Sequence, residues 1–170
     1  PKAKSIDEVV GQLRSHAGSD WEKVRAAFIW MTENVEYDVD SYFGDLGNAN
    51  VSAEGVFATG RSVCEGYASL FETILKKLGI DIVKLSGYAK GLSYSPGDRF
   101  QKTNHAWNAI KIDGAWHLFD STWGAGSVDG KKFIKEYKEF WFDTPPELFV
   151  LSHLPEEPGW TLLNRTISLS

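Results

Sequence analysis

The 170-residue sequence holds one cysteine and one methionine, and the first scarcity is informative. A lone cysteine cannot close an intrachain disulfide, which accords with an intracellular, reducing compartment but leaves localisation open. No run is long and apolar enough to cross a bilayer, and Pro1-Lys2-Ala3-Lys4 lacks the apolar centre of a signal peptide. An initiator methionine is also missing, so the chain reads as a fragment or a processed form. There is no excess of basic residues: 18 Lys and Arg against 23 Asp and Glu, scattered without runs, give a net charge of -5. That balance argues against nucleic acid and anionic membranes as partners. No Cys/His cluster has metal-ligand spacing, and Gly124-Ala125-Gly126 is not followed by the Lys-Ser and helix of a phosphate loop. Neither a metal nor a cofactor is expected.

What the chain does contain is a core. At 42% hydrophobic, with seven tryptophans inside periodic segments and no internal repeat, residues 1–170 suit one globular domain. Ile6, Val9, Val10 and Leu13 have helical spacing behind a Ser5/Glu8 capping box. Asp20 is read as the cap of a stronger helix over Trp21 to Val35, with Val24, Ala27, Phe28, Met31 and Val35 on one face. Residues 36–50 read as a long loop able to lie over a site, and 52–57 as a short helix. A central helix opens at Cys64 and stops at Leu78-Gly79, where glycine supplies a left-handed cap.

After Gly79 the period changes from helical to alternating. Residues 80–88 form a strand, 91–103 an exposed loop, and 139–142 a further strand; a short helix starts at Pro145-Pro146, and the tail from Pro155 is irregular. Asp113-Gly114 is the strongest hairpin signal and joins strands over 104–112 and 115–122. With those two residues at the turn, Ile112 opposes Ala115. One face then carries His105, Trp107, Ala109 and Lys111 against Thr122, Asp120, Leu118 and Trp116. His105 lies diagonal to Asp120, about 7 Å away or less, which imidazole and carboxylate can bridge. His117 and Asn108 fall on the other face, which excludes His117 from that pair and Asn108 from orienting His105. His16 and His153, in weakly patterned segments, are expected to face solvent.

A single cysteine is ordinarily a small buried hydrophobe. Cys64, however, follows the loop Thr59-Gly60-Arg61-Ser62-Val63 and begins a helix, where free backbone N–H groups and the positive end of the dipole favour thiolate over thiol. An imidazole holding a carboxylate on one nitrogen can take the thiol proton with the other. Cys64, His105 and Asp120 are therefore the candidate catalytic set. Trp107 and Trp123 flank it as candidate cleft walls, with core packing the competing reading of each.

Three segments carry a family resemblance: Ser62-Val63-Cys64-Glu65-Gly66-Tyr67-Ala68, Asn104-His105-Ala106-Trp107-Asn108, and Asp120-Ser121-Thr122-Trp123-Gly124-Ala125-Gly126. They resemble the transglutaminase-like superfamily, whose core belongs with papain-like cysteine proteases, and within it the kyphoscoliosis peptidase branch. Trp30 to Asp38, Ser86 to Gly91 and Trp160 to Leu163 extend the likeness over about residues 20–163. The resemblance implies an α+β, papain-like transglutaminase-core fold: N-terminal helices, and a nucleophile at the start of a central helix packed on an antiparallel sheet. It implies Cys64 as nucleophile, His105 as general base and acid, and Asp120 as orienting carboxylate. Related enzymes take an oxyanion donor from upstream of the cysteine, and Tyr37 is the candidate here.

The implied activity is cysteine-dependent acyl transfer on a protein or peptide substrate through a thioester, peptidase-like or transglutaminase-like. Some members of the branch have lost triad residues and act as scaffolds, so a binding module with a cytoskeletal partner is the competing class. Loops 36–50 and 91–103 would serve as lids if the site needs opening.

Overall fold

In the computed structural model, which describes residues 3–167, two helices come first. Helix α1 (Ile6–His16) buries Ile6, Val9, Val10 and Leu13, and the Ser5 hydroxyl accepts from the Glu8 N–H at 3.1 Å. Helix α2 (Asp20–Asn34) is capped by Ser19, one residue before the expected Asp20. Glu22 decides this: it stands at the third helical position from Ser19, and the two close a reciprocal capping box.

The segment expected as a loop over 36–50 has more structure than its composition suggested. Strand β1 (Glu36–Tyr37) leads into helix α3 (Val39–Phe43), capped by Asp38, and a 3₁₀ turn at Leu46–Asn48. Helix α4 (Ala53–Thr59), capped by Ser52, ends at Gly60 with φ 68°. Strand β2 (Arg61–Ser62) pairs in parallel with β1, setting Tyr37 opposite Ser62. Helix α5 (Cys64–Lys77) buries Tyr67, Ala68, Leu70, Phe71, Ile74 and Leu75, and Gly79 follows with φ 81°.

Strand β3 (Ile82–Ala89), strand β4 (His105–Ile112) and strand β5 (Ala115–Phe119) are antiparallel neighbours. Asp113 and Gly114 both take positive φ, 51° and 82°, and Ile112 opposes Ala115 as the turn required. β5 stops at Phe119 instead of running to Thr122. Asp120 leaves the strand to cap helix α6 (Ser121–Ala125), its carboxylate accepting from the Trp123 N–H at 2.9 Å.

Strands β6 (Gly126–Asp129) and β7 (Lys132–Lys135) form a separate hairpin, which the sequence reading did not place. The expected strand over 139–142 is a 3₁₀ turn at Glu139–Trp141. Asp143 takes φ 53° just beyond it, so the segment bends, and its backbone meets the end of β5 through Thr144 N–H to Leu118 O and Asp120 N–H to Trp141 O. Helix α7 (Pro146–Phe149) follows, and strand β8 (His153–Pro155) then adds to the edge of β3. The tail ends in a 3₁₀ turn at Pro158–Thr161.

The main sheet runs β5-β4-β3-β8 and is buried on both faces. Ile82, Ile110, Ile112 and Phe119 pack with α1, α2, α4 and α5 in the larger core. Leu85, Trp107, Ala109 and Leu118 pack with Phe149 on the other face, under the C-terminal segments. Gly87 makes that second layer possible: a Cβ there would lie 2.4 Å from both Trp107 and the Leu154 carbonyl. Among the described residues no helix is long and apolar enough to cross a membrane.

Candidate active site

Two short ladders bring the chemistry together. Asp38 N–H donates to Ser62 O at 2.8 Å and Glu36 N–H to Gly60 O at 2.9 Å, so β1 and β2 hold Tyr37 beside the start of α5. Gly66 lets that helix sit close, because Ser62 and Val56 fill the space a side chain would need. Val63, the N-cap, offers no side-chain acceptor, and no hydrogen bond engages the Cys64 N–H among the described residues. On the sheet side, the Asn104 amide both donates to Ala89 O and accepts from Ala89 N–H, at 2.9 and 2.7 Å. This pins the start of β4 and with it His105.

His105 Nε2 lies 2.7 Å from Asp120 Oδ2, and Cys64 is near enough for its sulfur to act on the charge of the ring. Nε2 is engaged by the carboxylate, so Nδ1 is the nitrogen left for the thiol. Asp120 is fully buried, and the His105 side chain is 7% exposed. Burial opposes a charge on His105, but the Asp120 carboxylate and the Cys64 sulfur outweigh it and raise its pKa to about 10. Burial likewise opposes the Asp120 charge, yet His105 and His153 hold its carboxyl well below the usual carboxylate range.

Tyr37 is half-buried, its ring 5.8 Å from that of Tyr42. Burial, then the nearby Cys64, push its phenol well up, so it stays protonated and able to donate. Trp123 is partly exposed and its ring lies 5.2 Å from His105, as a site wall would. Trp107 is not a cleft wall: it is 1% exposed and packs in the second core against Phe149 and His153. Its strand alternation shows which face it takes, not that the C-terminal segments cover that face. Asn108 donates to Ala68 O at 3.1 Å and faces away from His105, and His117 pairs with Asp143 at 2.8 Å. A shallow concavity of about 240 Å³ lies on the 91–103 loop, lined by Ser93, Tyr94, Arg99 and Phe100, and does not include Cys64.

The largest correction concerns His153. Expected at the surface, it is fully buried on β8, with Nε2 2.9 Å from the same Asp120 Oδ2 that meets His105. Burial lowers its pKa, and Asp120 offsets that only in part. Its partner strand is β3, more than sixty residues earlier in sequence, so nothing local announces its burial. His105, Asp120 and His153 do cluster as metal ligands can. Both nitrogens nevertheless sit at hydrogen-bond distance from one oxygen, closer than the roughly 3.3 Å that Zn–ligand bonds of about 2.0–2.1 Å leave between tetrahedral ligands. The trio is a hydrogen-bonded carboxylate.

Residues 7–121 match the model of the transglutaminase-like superfamily. The chain belongs to that superfamily. It is 40% identical over 167 residues to kyphoscoliosis peptidase of Mus musculus, a match covering 96% of the chain and 25% of that protein. To hillarin of Drosophila melanogaster it is 30% identical over 183 residues, covering 98% of the chain and 22% of hillarin. The transglutaminase-like chain thus spans about a quarter of the length of the curated relatives it matches. A solved structure from Cytophaga hutchinsonii, described as a candidate cysteine protease, superposes with a TM-score of 0.54 at 27% identity, over 69% of this chain and 36% of that one. The mixed helix-and-sheet architecture is that of the transglutaminase and cysteine protease folds.

Proposed function

We propose that this domain catalyses cysteine-dependent acyl transfer on a protein or peptide substrate. The observation that carries the reading is a buried imidazole held on a buried carboxylate, with the sole thiol of the chain close enough to act on its charge. With the Cys64 proton already held on Nδ1 of the His105 imidazolium, Cys64 Sγ attacks the carbonyl carbon of a glutamine side chain or a peptide bond. Asp120 accepts from Nε2–H throughout, fixing the ring and stabilising the imidazolium. The tetrahedral oxyanion is met by the Cys64 N–H at the start of α5 and by the Tyr37 hydroxyl. His105 returns the proton to the leaving amine as the C–N bond breaks, leaving a thioester on Cys64. Water then completes hydrolysis or deamidation, or a primary amine completes a cross-link, with His105 again removing the proton of the attacking group.

The test is intact-mass analysis of the whole chain incubated with a glutamine-containing peptide and a primary amine, beside Cys64→Ala. An amine adduct, an amide-to-acid conversion or a cleaved peptide, absent from the variant, supports the reading and selects the reaction. No product from the wild type across glutamine, amine and peptide substrates, with partner binding that survives Cys64→Ala, overturns it in favour of a binding module.

A further inference from the structure

Asp120 is engaged on every side. Its Oδ1 accepts from the Trp123 N–H at 2.9 Å, and its Oδ2 takes His105 at 2.7 Å and His153 at 2.9 Å. A carboxylate only accepts, so both imidazoles must present Nε2–H to it. His153 Nδ1 lies 2.8 Å from the Ser152 hydroxyl, and the ring stacks on Phe149 with centroids 4.1 Å apart. Every polar atom of His153 therefore has a partner, and its burial among aromatic rings selects the neutral Nε2–H form, with Nδ1 as acceptor.

We propose that His153 is a positioning residue for the proposed Cys64–His105–Asp120 set. Its neutral Nε2–H holds Asp120 in the orientation that serves His105 and takes a share of the carboxylate's charge. The inference rests on the acyl-transfer reading for its catalytic consequence, but not for its structural content. Two donors on one oxygen divide its basicity, so each holds its own proton less tightly than it would alone. His153 thereby keeps Asp120 ionised and oriented while leaving the His105 imidazolium acidic enough to protonate a leaving amine. The ionisable groups around this network are His105 from β4, Asp120 at the α6 N-cap, Cys64 and Tyr67 from α5, and Tyr37 from β1. His153 itself is met by Asp120 and His105, and otherwise by Trp107, Trp123, Trp141 and Phe149.

The test reads imidazole ¹⁵N signals of the full chain against pH, which needs no turnover. In the wild type, His153 should remain the neutral Nε2–H tautomer at pH 7. A doubly protonated ring or the Nδ1–H tautomer overturns the proposal, without any variant having to fold. In His153→Phe, which keeps a ring on Phe149 but removes the donor, the His105 midpoint should rise by about half a pH unit or more. In His153→Gln, whose amide can donate near the Nε2 position, it should return toward the wild-type value. An unchanged or lower midpoint in a folded His153→Phe overturns the proposal. Where turnover is measurable, kcat should fall about tenfold in His153→Phe, with KM within about twofold. An absence of turnover in every form would count against the acyl-transfer reading and leave the NMR result to decide this one.

Discussion

Gly66→Ala tests whether the close seat of α5 on β2 is what holds Cys64 in place. A Cβ at position 66 would lie 2.0 Å from Ser62 Oγ and 2.7 Å from both Ser62 Cβ and Val56 Cγ2. Neither neighbour can swing aside freely: Ser62 and Val56 are fully buried, and the Ser62 hydroxyl donates to Asn50 O. Overpacking of this kind costs about 1–3 kcal/mol, and three contacts below 3.0 Å put it near the upper end. Alanine's better helix propensity returns roughly 1 kcal/mol, so a net loss of about 2 kcal/mol remains. For a domain of this length that is a fall in Tm of about 4–8 °C by scanning calorimetry. Relief comes most easily by lifting the first turn of α5 from β2, which moves Cys64 away from His105, so iodoacetamide should also react more slowly with Cys64. A Tm equal to or above wild type, with unchanged alkylation, would refute the reasoning.

Three further outcomes follow from the geometry. Tyr67→Phe removes a buried hydroxyl that donates to Val35 O at 2.8 Å and leaves that carbonyl unpaired, so urea unfolding should show a loss of about 1–2 kcal/mol. Tyr37→Phe should lower kcat about tenfold or more with little change in Tm, and an undiminished kcat would remove Tyr37 as an oxyanion donor. The pH dependence is set by two histidines of opposite sign. His105, raised to about 10, contributes stability fully present below its unfolded value near 6.5 and lost as pH rises toward 10. His153, lowered by burial, contributes stability lost as pH falls below about 6.5, and the lowered Asp120 adds to the acid-side loss. Urea midpoints should therefore decline on both sides of about pH 6.5, and His105→Gln should flatten the alkaline limb.

Much of the site was legible because its parts are placed by local rules. Asp113-Gly114 specified a turn with two positive φ angles, and that turn alone set the register that directs His105 toward Asp120 and His117 away. The start of α5 at Cys64 and its stop before Gly79 followed from apolar periodicity and one glycine. What stayed hidden depends on partners distant in sequence. His153 gains its burial and its place on Asp120 only because β8 joins β3 across Gly87, whose missing side chain admits Leu154 and Trp107. Trp107 has two readings in the sequence, cleft wall and core packing, and the C-terminal segments that cover its face decide for the core. Asp120 was expected within a strand, yet it is also a good helix cap, and capping Trp123 suits its short side chain better. Ser19 and Asp20 compete for the same role, with Glu22 deciding between them.

The central claim, that His105 activates Cys64, is tested most directly by the rate of iodoacetamide alkylation at pH 6. With the charged His105 imidazolium beside the sulfur and Asp120 behind it, Cys64 should react at least about tenfold faster than free cysteine, and His105→Ala should abolish the advantage. A wild-type rate equal to that of free cysteine would contradict the account.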